Sequence, residues 1–215
     1  MRRTPPALAL ALAGTLAVCG GARAQVALGL RGGVNLSDVT SNQFGFGGVG
    51  HRTAPVGGAF LSIAGPASIG FQTEILYAQK GFSALVEGGT ATANIAYIDV
   101  PILVKVRLVG QQHRIRPSLF GGWFLGFEIS CSLGGALEGI GGEGDCDALL
   151  RRRGKLDGGF VFGAGAEVGL VDRTFLVFDG RYGAGQLNLN WQEADDRVLS
   201  QVWSFTAGAG ILLGF

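Results

Sequence analysis

The sequence predicts an all-β fold, an eight-stranded antiparallel up-and-down transmembrane β-barrel. Three observations carry that expectation. Short segments recur in which one parity is apolar and the other polar, the mark of a strand with two different faces. The connectors between them alternate between short and long. Glycine accounts for 39 of 215 residues, against an average usage of about 7%. With only 6 prolines and no G-X-Y period, neither collagen nor low-complexity disorder fits. No stretch after residue 25 approaches the roughly 18 consecutive apolar residues of a membrane helix, whereas a barrel strand needs only about 9–11 residues with every other one apolar.

The first 24 residues read as a cleaved signal peptide and stand outside the fold. Arg2 and Arg3 precede the apolar run "ALALALAGTLAV", and "ARA" at 22–24 supplies small residues for cleavage after Ala24. The apolar run is shorter than the roughly 20 residues of a spanning helix. Cys19 follows the bulky Val18, which argues against a lipoprotein site, and the paired arginines lack the rest of a twin-arginine motif. The barrel domain is therefore expected over residues 25–215. Two cysteines, Cys131 and Cys146, remain after cleavage.

The strands follow in order. In 26–36, Val26, Leu28, Leu30, Val34 and Leu36 oppose Arg31 and Asn35. A second strand over about 55–64 is less regular, because Phe60 and Leu61 have opposite parity. In 69–80, Ile69, Phe71, Ile75 and Tyr77 oppose Gln72, Glu74 and Lys80. In "YIDVPILVKVRL", 97–108, the even positions are all aliphatic while the odd ones include Asp99, Pro101, Lys105 and Arg107. Pro101 deletes a ladder donor, so a local bulge or an unpaired carbonyl is expected there. In 114–128, Ile115, Leu119, Trp123, Leu125 and Phe127 oppose Arg114, Arg116, Ser118 and Glu128. In 157–170, Phe160, Phe162, Val168 and Leu170 face away from Asp157 and Glu167; in 175–183, Leu176, Phe178 and Tyr182 face away from Asp179 and Arg181. Residues 201–215 close the series, with Trp203, Phe205, Ile211, Leu213 and Phe215 against Ser204 and Thr206.

Short connectors fall at 65–68, 109–113 and 171–174, and long ones near 37–54, 81–93, 129–156 and 184–200. Short periplasmic turns and longer outer loops are the layout of an outer-membrane barrel. Lipid then lies outside and the polar parity points inward. The expected interior network comprises Arg31, Lys80, Lys105, Arg107, Arg114, Arg116 and Arg181 against Glu74, Asp99, Glu128, Asp157, Glu167 and Asp179. Buried charges persist only if paired, and inward glycines such as Gly29, Gly33, Gly122, Gly163 and Gly165 make room for long side chains.

The runs "GLRGGVNLSDV", "FQTEILYAQKGFS", "YIDVPILVKVRL" and "FGAGAEVGL" with "GRYGAG" together resemble the small outer-membrane β-barrel domain called the porin family, including PorT-like proteins and the OmpX/OmpA-like eight-stranded barrels. The resemblance covers essentially the whole mature chain and rests on the order and spacing of the runs. It implies a Gram-negative outer membrane and about eight strands; the proline inside the fourth strand is part of the family look, and the porin label is not evidence of a pore. Ile211, Leu213 and the terminal Phe215 resemble the signal read by the outer-membrane assembly machinery.

The candidate sites lie in the outer loops. Cys131 and Cys146 are expected to form a disulfide in an oxidising compartment, and without a histidine they make a poor zinc site. Glu143, Asp145 and Asp147 alternate in "GEGDCD" but miss the EF-hand spacing, so a solvated loop is favoured over calcium. Arg151, Arg152, Arg153 and Lys155 suit lipopolysaccharide phosphates, with a plain charged loop as the alternative. His51 and His113 fall at opposite ends of the barrel, so a shared catalytic site is excluded; no catalytic residue, cofactor or metal is expected, and the chain is not expected to be an enzyme. A net charge of +1 argues against nucleic acid. The favoured role is a monomeric structural or surface-interaction protein among outer-membrane lipids. A small channel or transporter is the alternative, and a soluble lipocalin-like carrier, apolar inside and polar outside, is a weaker one.

Overall fold

Whether alternating strands make a soluble sandwich or a membrane barrel depends on which face turns inward and whether the sheet closes on itself. In the computed structural model, which describes residues 25–41, 49–50, 52–65, 68–86, 89–110, 112–135, 155–187 and 198–213, the sheet closes. Eight long strands are present: β1 (Gln25–Ser41), β2 (Arg52–Ala64), β3 (Ile69–Val86), β4 (Gly89–Arg107), β5 (Ile115–Gly135), β6 (Leu156–Gly169), β7 (Thr174–Gly185) and β8 (Val198–Leu213). Each pairs antiparallel with its sequence neighbours, and β1 pairs β8 from Val26↔Leu213 to Ser41↔Val198, which completes the ring. A two-residue piece, Val49–Gly50, adds to β3 at Ala84 and Ser83. Among the described residues no helix is long and apolar enough to cross a membrane.

The outer face is apolar and the inner face mixed. Leu30, Phe71, Ile75, Ile102, Trp123, Phe162 and Trp203 are exposed on the wall, Leu30 at 69%. Arg31, Glu74, Lys105, Asp157, Glu167 and Arg181 are buried inside. That polarity is the reverse of a lipocalin-like carrier, so the soluble alternative is set aside. The interior also holds apolar clusters: Ala27, Phe60, Phe175 and Val177 near the short-turn end, Leu103, Phe120, Phe124 and Val161, and Val56, Leu76 and Ala78. The mixed parity of β2 has its explanation here. Phe60 points inward, at 3% exposure, while Leu61 faces out. Glycines admit these rings: a Cβ on Gly29 would overlap Phe60, one on Gly163 would overlap Phe120, and one on Gly210 would overlap Phe175.

Three short turns join β2 to β3, β4 to β5 and β6 to β7 at one end. Ser68 and Asp172 adopt positive φ there, 61° and 56°, and Thr174 closes the last turn by donating from its backbone N–H (3.2 Å) and hydroxyl (2.7 Å) to the Val171 carbonyl. At the other end two expectations need correction. Residues 81–93 are not a long loop: β3 and β4 stay paired out to Val86↔Gly89, leaving a tight hairpin. Further down β4, the bulge that is one of the two outcomes expected at Pro101 is also absent. The β3–β4 register passes it unshifted, with a two-rung gap in the ladder between Thr73↔Ile102 and Leu76↔Asp99. The irregularity sits instead between β4 and β5 at Ala96/Tyr97, where Ser130 and Glu128 pair and Ile129 is the extra residue.

Candidate functional site

The interior side chains sort into three ionic tiers along the barrel. The central tier joins opposite walls. Arg181 on β7 donates to Glu74 on β3 through Nη1 to Oε2 (2.8 Å) and Nη2 to Oε1 (3.3 Å), and Nη2 also donates to Asp179 Oδ2 (3.2 Å). Arg31 on β1 donates through Nη1 to Asp179 and lies 3.2 Å from Glu74, while Gln72 donates to Glu74 as well. The two guanidiniums rest on aromatic rings, Arg31 4.8 Å from the Phe60 centroid and Arg181 5.4 Å from that of Phe120, which lets them be buried with part of their electrostatic need met by π faces. Gly165, paired with Asp179 across β6 and β7, leaves the space its carboxylate occupies.

The tier nearer the long-connection end is built on Lys80. Its ammonium donates to Asp99 Oδ1 (3.2 Å) and Asp157 Oδ2 (2.9 Å) and lies 4.8 Å from the ring centroids of both Tyr97 and Phe124. Ser200 donates to both Asp157 oxygens at 3.1 Å. Beside it, Ser204 donates to the Asn35 side chain (2.7 Å), and Ser37 bonds the backbone of Gly81. The third tier lies near the short turns: Lys105 donates to Glu167 (2.9 Å), with Arg107 Nε and Arg116 Nε at 3.4 Å and 3.5 Å from the same carboxylate. Between the tiers a cavity of about 50 Å³ is lined by Asn35, Lys80, Asp99, Phe124, Arg181 and Thr206 among others, room for a few waters rather than a passage.

Among the residues expected in the interior, Arg114 does not join the network. It precedes β5, is exposed, and its Nε–H donates to the Gly169 carbonyl at 3.2 Å; strand parity does not extend into the turn. Glu128 is half-buried beside the bulge, its backbone N–H donating to the Lys155 carbonyl at 3.0 Å. Inward Phe60, Phe120, Phe124 and Tyr97 were missed as partners of the cations, since an apolar residue on a polar parity reads as noise in one strand. Their signal lay in the inward glycines beside them.

Cys146, Glu143, Asp145, Asp147, Arg151, Arg152, Arg153, His51 and Phe215 lie outside the described residues, as do residues 1–24, where a signal peptide is expected. Cys131 stands on the outer part of β5, Lys155 immediately before β6, and His113 is exposed in the β4–β5 turn. Ile211 and Leu213 face outward on β8. Among the described residues no group of His, Cys, Asp and Glu is placed to hold a metal ion.

Comparison with known proteins agrees with this geometry. The profile of a family described as outer membrane protein beta-barrel domain matches residues 21–186. No curated protein sequence matches the chain. Among solved structures, the outer membrane protein OprG from Pseudomonas aeruginosa is 14% identical with a TM-score of 0.61, over 90% of this chain and 98% of that one. The E. coli Outer Membrane Protein W is 14% identical with a TM-score of 0.47, over 86% and 97% respectively. The likeness to OprG is one of fold.

Proposed function

The chain belongs to the outer membrane protein beta-barrel domain family and sits in the outer membrane, and on that premise we propose that it is a closed, monomeric scaffold whose outer rim makes surface interactions. The packed interior carries this reading. Among the described residues, cross-lumen ion pairs from β3 to β7, inward phenyl rings and a cavity of about 50 Å³ between the tiers crowd the lumen, as suits an eight-stranded barrel whose lumen side chains fill. The strands support the second half of the reading. β3, β4 and β5 run for 18, 19 and 21 residues, about twice the length needed to span a bilayer, so paired sheet continues beyond the membrane.

In this reading residues 1–24 are removed on export, the C-terminal Ile211, Leu213 and Phe215 are read by the assembly machinery, and Arg151, Arg152, Arg153 and Lys155 meet lipopolysaccharide phosphates. A Cys131–Cys146 disulfide staples the longest connection; thiol alkylation of the folded protein before and after reduction reads it directly. The chain is not an enzyme and uses no cofactor. The test of the scaffold reading is planar-bilayer conductance of detergent-refolded protein whose gel mobility shifts on boiling. A shifting band without steady single-channel steps is expected. Stable steps would replace the scaffold with a channel.

A further inference from the structure

At the short-turn end the interior charges do not balance. Lys105 and Arg107 on β4 and Arg116 on β5 converge on a single carboxylate, Glu167 on β6, and the four residues are between 4% and 9% exposed. Lys105 forms a hydrogen bond with Glu167 at 2.9 Å. The Nε–H groups of Arg107 and Arg116 are buried and, among the described residues, donate no hydrogen bond, although each lies within 3.5 Å of Glu167 Oε2. Three cations thus share one anion, and two buried Nε–H donors are left without a hydrogen bond. Buried donors without acceptors are rare and call for an explanation.

The Lys80 tier makes a useful contrast. There the single ammonium sits between two carboxylates and two rings, and nothing is left to recruit. The Glu167 tier also lies at a mouth. Arg107 is the last residue of β4, its N–H held by the Ser68 carbonyl at 2.8 Å, and Arg116 is the second residue of β5. Exposed Arg114 and Arg173 in the adjoining turns keep this end basic against Asp172.

We propose that this mouth is a binding site for a phosphate-type oxyanion, with Arg107 and Arg116 as its donors and Lys105 as its balancing charge. A tetrahedral oxyanion presents several acceptors to two guanidiniums at once, the geometry for which arginine is suited. Short turns face the periplasm in barrels of this class, where such a group is available either as free phosphate or as the headgroup of an inner-leaflet lipid. The recognition chemistry is shared.

The experiment measures binding of inorganic phosphate to the refolded barrel in a phosphate-free maltoside, by calorimetry against chloride at equal ionic strength. In parallel, native mass spectrometry follows retention of phosphatidic acid against diacylglycerol. The variants are Arg107→Lys and Arg116→Lys, singly and together, which keep the charge and lose the unused Nε–H, with Arg114→Lys as control. Saturable phosphate binding at one site per barrel, weakened about tenfold or more by the double variant through loss of charge-assisted hydrogen bonds and unchanged in Arg114→Lys, supports a site for free phosphate. Retention of phosphatidic acid without phosphate binding, with the same variant pattern, supports a lipid headgroup. Absence of both in the wild-type barrel overturns the proposal, as does binding that the double variant leaves unchanged. Should the double variant fail to give a heat-shifting band, the single variants and the wild-type stoichiometry decide in the same way.

Discussion

Glu74 accepts hydrogen bonds from Arg181 and Gln72 and lies 3.2 Å from Arg31, so one carboxylate holds together strands on opposite sides of the lumen. Removing it leaves two guanidiniums buried with only Asp179 between them. Stranding a buried charge costs about 3–5 kcal/mol, and Glu74→Ala is expected to lower the urea stability of the folded barrel by that order. Isosteric Glu74→Gln is expected to cost less, because Gln72 and the arginines keep an acceptor oxygen. A loss below about 1 kcal/mol for the alanine variant would mean that water, not Glu74, satisfies the arginines. Space matters at the same scale as charge. A methyl group at Gly165 overlaps the Asp179 carboxylate and one at Gly29 overlaps the Phe60 ring, so Gly165→Ala and Gly29→Ala are each expected to destabilise by about 1–3 kcal/mol through overpacking, read in the same urea titration. Exposed Gly32, whose added Cβ would meet nothing closer than the Val56 carbonyl oxygen at 3.8 Å, is the neutral control.

Each strand carries its own boundary between lipid and water. Ile75 on β3 is exposed at 61% on the apolar wall, whereas Ser130 on β5 lies outward of the β4–β5 irregularity. An arginine on the lipid face costs about 2–4 kcal/mol at the midplane and falls to about 0–1 near the interface. Ile75→Arg is therefore expected near the upper figure and Ser130→Arg near the lower. Equal costs would show that the outer part of β5 is also in lipid. Parity made most of this legible in the amino-acid order, because Ile98 to Leu108 and Trp203 to Leu213 keep one face apolar without interruption. It failed where a residue obeys a different constraint. Phe60 is apolar yet inward because an interior cation rests on it, and Arg114 is charged yet outside because the strand has not begun. The outer course of β3 and β4, up to Val86 and Gly89, was hidden for another reason: the run "GFSALVEGGTATA" does not alternate apolar with polar residues, so the pattern that marks a strand is missing.

At the scale of the whole molecule, polar and apolar layers succeed one another along the interior, and the ionic tiers are almost free of solvent. Raising salt from 0.1 M to 1 M shortens the screening length from about 10 Å to about 3 Å, which acts on exposed charges and hardly at all on Glu74, Asp157 or Glu167. The urea midpoint of the refolded barrel is expected to stay nearly constant across that range in sodium chloride. A marked fall would place solvent inside the barrel and reopen the channel alternative. The candidate site was legible only as a list of inward charges. Their partners depend on which strands face each other across the lumen, and no local pattern in the chain contains that information.

The β1–β8 seam ties Val26 to Leu213 and Gln25's neighbours to the last residues of the final strand. Antiparallel neighbours elsewhere meet as soon as each hairpin is made, but this junction joins the first strand to the last. The ring therefore has no stable half-built form: until the final strand is delivered, both margins of the growing sheet carry unanswered backbone donors and acceptors, which hydrocarbon does not tolerate. A chain without its final strand yields not a smaller barrel but an open ribbon. The seam thus acts as the clasp of the ring: only when the final strand reaches the first are both margins answered and the barrel fit to leave water for the membrane.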